Sequence, residues 1–296
     1  MIDLLIPTVA QGLLWAVMAL GVYVTFRVLD IADLTVEGSF PLGAAVAASM
    51  MTAGYGPVPA FAAAAVFGML AGVVTGVLHT KMKIPALLAG ILTMIALYSV
   101  NLRVMGKANL SLLGTDTTFT IVRGALGLNM AQTTLIVGLA VTLAICVLLY
   151  WFFGTEIGAA IRATGFNQQM IRAQGVNTDI TIILGLLLSN ALVAVSGALV
   201  AQSNGFADVG MGTGTIVIGL ASVIIGEVLF GTRSFRNCLV SVVLGSVVYR
   251  IVIALVLHMG MPPNDLKLFT SILVAFALAL PLIKDKLGMS KRGRRA

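Results

Sequence analysis

Residues 155–178 read TEIGAAIRATGFNQQMIRAQGVNT, a stretch too hydrophilic to cross a bilayer and too long for a simple turn. On either side lie apolar runs, 132–153 and 180–202. Each is long enough, at ~1.5 Å per residue, to cross a ~30 Å hydrocarbon core as a helix. The pattern is that of two membrane helices joined by a polar insert that another protein can grip.

The same pattern extends to both ends of the chain. Its 296 residues are 59% hydrophobic and 10% charged, with a mean hydropathy of +1.07, outside the composition of soluble domains. Membrane strands would require alternation over about 9 to 11 residues, and the runs do not alternate. The fold class is therefore all-α: one polytopic transmembrane bundle over 1–296. Spans are expected at 4–26, 38–53, 58–79, 84–102, 132–153, 180–202, 211–230, 237–257 and 265–283, about nine, within a range of about eight to ten. Glu37, Gly38, Ser39, Pro41 and Gly43 crowd the start of the second span and predict a broken or partly inserted helix. The seventh begins raggedly at Gly210, Gly212 and Gly214.

Basic residues in short loops tend to stay in the cytoplasm. The tail, 284–296, carries Lys284, Lys286, Lys291, Arg292, Arg294 and Arg295. Placing it inside, and alternating back through nine spans, puts Arg27, Lys81, Lys83, Arg162, Arg172, Arg233 and Arg236 inside as well, with the N-terminus outside. Arg103, Lys107, Arg123 and Lys267 fall on the other side, so the bias is not absolute. No basic n-region precedes the first apolar run, which argues against a secretory signal.

A net charge of +7 does not imply nucleic acid, because six of the eighteen basic residues sit in the tail, beside anionic lipid headgroups. Cys146 and Cys238 both lie inside apolar spans and read as small packing residues. His79 and His258 stand alone at span ends, and Trp15 and Trp151 read as interface anchors. Glycines recurring with alanine and serine, such as Gly68, Gly72, Gly76 and the pair Gly185 and Ser189, read as close helix contacts. No phosphate-binding G-x-x-x-x-G-K-[ST] loop and no H-E-x-x-H or paired-cysteine metal motif occurs, and Gly210 to Gly214 lacks the strand context of a dinucleotide fold. The expectation is a non-enzyme without cofactor or metal, whose ATP hydrolysis, if any, belongs to a partner.

The insert carries its own capping signals. Thr155 is suited to cap a helix with Glu156 in its first turn, beside the positive helix end, and Gly165 is expected to interrupt that helix. Asn167 is suited to cap a second short helix to Gln174, Gly175 to stop it, and Asn177 or Thr178 to cap the next span ahead of Asp179. Ile157, Ala160, Ile161 and Ile171 give the pair only a small apolar side, less than a helix lying in the membrane requires.

These residues carry a resemblance. Thr155-x-x-Gly158, the core Arg162-Ala163-Thr164-Gly165-x-Asn167, and Ala173-x-Gly175-Val176-Asn177 resemble the coupling loop of permeases in the branched-chain amino acid and ribose class of ABC importers. Residues 33–45, DLTVEGSFPLGAA, resemble the start of the second span in that class, most of all in the tryptophan/tyrosine importer subgroup. The resemblance covers roughly 4–285 and implies a type II importer fold. It implies a second permease subunit in a dimer, two cytoplasmic ATP-binding subunits, an extracytoplasmic substrate-binding protein and residence in the bacterial inner membrane. It assigns ATPase coupling to Thr155, Glu156, Gly158, Arg162, Ala163, Thr164, Gly165, Asn167, Arg172 and Gly175, and an amino acid, aromatic in the subgroup, as substrate.

A transport pathway needs polar lining. Asp33, Glu37 and Ser39 on the second span and Asn190, Gln202 and Asn204 on the sixth are the candidates. Glu37 has two readings, pathway or helix cap, and Glu227 and Arg250 cannot be paired from sequence. The outer loop 103–131 reads as a docking surface for a binding protein or a short re-entrant helix. Three alternatives remain open at this level: an ion-coupled secondary transporter, a permease for another solute such as a nucleoside or sugar, and a non-transporting scaffold.

Overall fold

The computed structural model describes residues 2–260 and, beyond them, 262, 265, 268–272, 274, 275 and 279. Most of the expected ninth span, 265–283, and the basic tail lie outside the described residues.

Helix α1, Ile2–Tyr23, continues through a π-helical turn, Val24–Val28. The chain then runs without helix over 29–35 before α2, Val36–Thr52. Next come α3, Pro57–Thr80, and α4, Ala86–Met105. A short strand β1, Asn109–Ser111, and helix α5, Thr118–Leu126, precede the long α6, Met130–Gly154. The polar insert folds as α7, Glu156–Phe166, and α8, Gln168–Ala173, ahead of α9, Thr178–Asn204. Strand β2, Phe206–Asp208, a 3-10 turn, Val209–Gly212, α10, Thr215–Phe230, and α11, Phe235–His258, complete the described elements. Seven of the described segments are long and apolar enough to cross a membrane: Leu5–Val28, α3, α4, α6, α9, Val209–Phe230 and α11.

Helix α2 is not among them: it is short, 17 residues, and begins at Val36 rather than 38. Thirteen of those residues are buried, so α2 is a central helix and not a lipid-facing one. The same holds for α9, where 72% of the most apolar window is buried, against 22% in α6 and 28% in α4. Helices α1, α2 and α9 thus form the centre, and α3, α4, α6, α10 and α11 surround it. Lipid supplies no hydrophobic drive between helices, so the centre packs through close backbone approach. A Cβ added at Gly43 would lie 1.9 Å from the Ala194 carbonyl oxygen, and one at Gly197 would lie 1.9 Å from that of Phe40. Glycine at these two positions lets α2 and α9 touch.

Buried hydroxyls and amides stitch the centre together. Ser189 Oγ donates to the Gly21 carbonyl and Ser196 Oγ to the Leu14 carbonyl, both at 2.8 Å, joining α9 to α1. Trp15 is not the interface anchor its place in the sequence suggested. Its ring packs on Phe40 at 5.1 Å between centroids, and the Arg250 guanidinium lies 4.1 Å from its centroid, so it serves the bundle interior. Trp151, 70% exposed near the end of α6, keeps the position of an anchor.

The two ends of the bundle differ. At one, the segment after α4 forms β1, which pairs antiparallel with β2 through Asn109 and Asp208, Leu110 and Ala207, and Ser111 and Phe206. Helix α5 is capped there by Thr117, with Thr120 returning the bond. The Gly210 to Gly214 run therefore does follow a strand, but a three-residue antiparallel one that leads into a membrane helix. The other end holds the π turn, α7 and α8.

Candidate functional site: the α7–α8 elbow and the buried polar seam

The local chemistry of the insert explains its shape. Thr155 Oγ1 accepts from the Gly158 amide at 3.3 Å and starts α7. Gly158 is needed because α7 folds back on the end of α6, and a Cβ there would lie 2.3 Å from the Phe152 carbonyl oxygen. Asn167 Oδ1 accepts from the Met170 amide at 3.0 Å and starts α8. Gly175, at φ +86, adopts the left-handed conformation that ends it. Asn177 Oδ1 accepts from the Asp179 amide at 3.0 Å and opens α9.

One expectation is corrected: Gly165 does not interrupt α7, which runs on to Phe166. Its role is contact. A Cβ at Gly165 would lie 1.9 Å from the Val28 carbonyl oxygen, so α7 rests directly on the backbone of the π turn. Beside it, Thr164 and Thr181 share a 2.8 Å hydroxyl–hydroxyl bond that ties α7 to α9. Arg172 Nε donates to Thr178 Oγ1 at 2.5 Å. Lys81, just past α3, pairs with Asp179 at 3.0 Å. The elbow thus rests on α6 through Gly158, on the end of α1 through Gly165 and on α9 through Thr164 and Arg172, while the Lys81–Asp179 pair ties α3 to the start of α9.

All ten residues assigned to coupling lie on this elbow or its caps. Thr164 and Gly158 are buried, Ala163 half-buried, and Glu156, Arg162, Asn167, Arg172 and Gly175 exposed. Of the expected apolar side only Ile161 and Ile171 are buried, while Ile157 is 53% exposed. The sequence reading missed Phe166, 92% exposed at the bend between the two helices, and Met170, 45% exposed beside it. A phenylalanine between a glycine and a capping asparagine was the available signal. Next to α7 lies a groove of about 640 Å³ lined by Tyr150, Trp151, Arg162, Phe235 and Arg236 among others. The Arg162 guanidinium sits 5.5 Å from the centroid of the Phe235 ring. Arg27 and Glu227 form an ion pair at this end, which answers the question of the Glu227 partner.

The six pathway candidates do not form one site. Asp33, Ser39 and Asn190 come together as a closed seam between α2 and α9. Asn190 Nδ2 donates to Asp33 Oδ2 at 2.8 Å and to the Leu186 carbonyl at 3.0 Å, and Ser39 Oγ donates to Asn190 Oδ1. The Thr35 amide donates to Asp33 Oδ1 at 2.9 Å, and Thr35 Oγ1 continues through Thr75 to Thr93 at 2.7 and 2.9 Å. All three candidates are at most 3% exposed, so they line no open space. Glu37 stands apart in a cleft, where its Oε1 accepts from the Gly214 amide at 3.0 Å. Gln202 and Asn204 lie at the far end of α9. Gln202 Oε1 accepts from the Thr118 amide at 3.0 Å, and Asn204 is exposed.

Residues 4–279 match the family described as "Branched-chain amino acid transport system / permease component". The chain belongs to this permease family. The permease is 41% identical to the tyrosine transport system permease protein of Clostridioides difficile (strain R20291) over 275 residues, 93% of this chain and 90% of the relative. It is 35% identical to an uncharacterized protein of Rickettsia prowazekii (strain Madrid E) over 286 residues, covering 94% and 97% of the two chains. Among solved structures, an inward-facing metal-chelate type ABC transporter superposes with a TM-score of 0.52 over 95% of this chain and 85% of that one. At 15% identity that likeness speaks for the fold alone. The permease is therefore an ABC transporter permease component and a multi-pass membrane protein.

Proposed function

We propose that this permease forms, as a dimer with a second copy, the solute pathway of an ATP-driven importer for an aromatic amino acid, tyrosine first. The observation that carries the reading is the elbow. An exposed phenylalanine stands at the tip of two short helices whose other side is fastened to three membrane helices. The substrate rests on the similarity to the tyrosine transport permease. The ATP hydrolysis belongs to separate ATP-binding subunits, in keeping with a permease family, and the chain itself is not an enzyme.

In mechanism, closure of the ATP-binding pair displaces α7 and α8. Because Gly165 sits on Val28 and Thr164 on Thr181, the displacement passes to the π turn and to the start of α9. The π turn leads through 29–35 into Asp33, and Asp33 is bonded to Asn190. The same motion thus arrives from two directions at the α2–α9 seam, and α2 carries it to Glu37 and the 3-10 turn. The opposite end, with β1, β2 and α5, suits an extracytoplasmic substrate-binding protein. In this orientation the elbow is cytoplasmic, the N-terminus outside and the basic tail inside, in a bacterial inner membrane.

The test is uptake of labelled tyrosine by proteoliposomes holding the permease, its ATP-binding subunits and the binding protein. The reading expects uptake that needs ATP inside. Uptake sustained by an ion gradient without ATP overturns it.

A further inference from the structure

The cleft that holds Glu37 lies between α2, α4 and the 3-10 turn, has a volume of about 460 Å³, and opens beside Ile95 and Tyr98, 60% and 56% exposed. Small-solute sites are apolar clefts of roughly this size with a few convergent polar groups. Ser99 and Thr213 bring hydroxyls to the lining, and two acceptors there, on Glu37 and Asn101, stand without a donor among the described residues. Glu37 Oε1 takes the Gly214 amide, and among the described residues Oε2 accepts no hydrogen bond and no cation pairs with the carboxylate. Asn101, also lining the cleft and fully buried, donates through Nδ2 to the Gly38 carbonyl at 3.2 Å. That carbonyl can only accept, so the amide cannot be reversed, and the buried Oδ1 is left with no donor among the described residues. A buried acceptor without a partner and a half-buried carboxylate without a cation are each costly. Both costs fall away if a cationic donor arrives. Met94, Ile95, Pro41 and the Tyr98 ring form the apolar side of the wall, suited to an apolar body and, at Tyr98, to a cation near an aromatic face.

We propose that this cleft is a way-station for the translocated solute, in which Glu37 and Asn101 Oδ1 receive a primary ammonium group while Met94, Ile95 and Tyr98 hold its apolar body. The inference rests on the importer reading and adds to it a place and a ligand chemistry. It assigns Glu37 to binding rather than to capping α2, and adds Asn101, a lone amide in an apolar run.

The experiment compares wild type, Glu37→Gln and Glu37→Asp in the assembled importer in proteoliposomes, reading uptake of labelled tyrosine per ATP hydrolysed. Gln keeps an acceptor for the Gly214 amide and removes the charge, whereas Asp keeps the charge and shortens the reach. The proposal expects Glu37→Gln to fall at least tenfold and Glu37→Asp to retain more than Glu37→Gln. Glu37→Gln at or above Glu37→Asp makes the residue a structural tie to Gly214 and overturns the site while leaving the importer intact. Wild-type ATP-driven uptake of labelled tyramine but of none of the twenty amino acids keeps the ammonium site and removes the amino-acid reading. No ATP-driven uptake of either by wild type removes both.

Discussion

The backbone of Gly165 on α7 lies against the carbonyl oxygen of Val28, so close that a methyl group at Gly165 would sit 1.9 Å from it. The obstructing atoms belong to the backbone at the end of the π turn, not to the movable end of a side chain. Gly165→Ala must therefore push α7 off α1. The expected outcome is a bundle that still assembles with its ATP-binding subunits but whose uptake per ATP falls at least tenfold, measured in proteoliposomes. Undiminished coupling in Gly165→Ala removes this contact from the transmission path.

Phe166 touches little of its own chain, being 92% exposed. Truncating an exposed side chain costs within about 0.5 kcal/mol of stability, whereas losing an aromatic anchor from an interface costs about 2 kcal/mol or more. Phe166→Ala is expected to melt like wild type in detergent and to bind the ATP-binding subunit at least about tenfold more weakly by titration. Arg162→Glu, which reverses a charge beside the groove of Trp151 and Arg236, is expected to act in the same direction.

The Asp33–Asn190 bond is of another kind, since both groups are buried and each is fully engaged. Asn190→Ala leaves a buried carboxylate without one of its donors, while Ser39 keeps the Thr35 carbonyl at 2.8 Å as its acceptor. Each orphaned buried group costs about 1–3 kcal/mol, more when charged. Thermal unfolding in detergent should drop by several degrees, and Asp33→Asn, which sets an amide donor against the Asn190 or Thr35 donor, should drop as well. Equal melting of Asn190→Ala and wild type contradicts the seam.

Glycines separate into two classes by what surrounds them. Gly43→Ala and Gly197→Ala each drive a methyl into a carbonyl of the facing helix at 1.9 Å, and both should yield aggregated protein on size-exclusion chromatography. Gly124 in α5 has nothing within 4 Å, and Gly124→Ala should raise stability by about 0.5–1 kcal/mol.

The spans were legible because an apolar run near 20 residues has one physical use in a bilayer, and the elbow because Thr155, Asn167 and Asn177 are caps whose bonds are local. The short reach of α2 was announced by Glu37, Pro41 and Gly43. What the sequence did not reveal depends on distant partners. Nothing near Gly165 in the chain points to Val28, so it read as a break. Nothing near Trp15 points to Arg250, so it read as an anchor. The six pathway candidates shared polarity but not place, and the seam took three of them out of reach of solute. Asn101 went unremarked because a single amide in a helix shows its value only when its unpartnered oxygen is located.

The proposed contact between the elbow and an ATP-hydrolysing partner is tested most directly with a photo-reactive amino acid at Phe166 in inner-membrane vesicles that carry the assembled transporter. The account predicts a covalent adduct with the ATP-binding subunit at Phe166 and none from the same probe at Leu113, which is 88% exposed in the loop between β1 and α5. Adducts from Leu113 and none from Phe166 would contradict it.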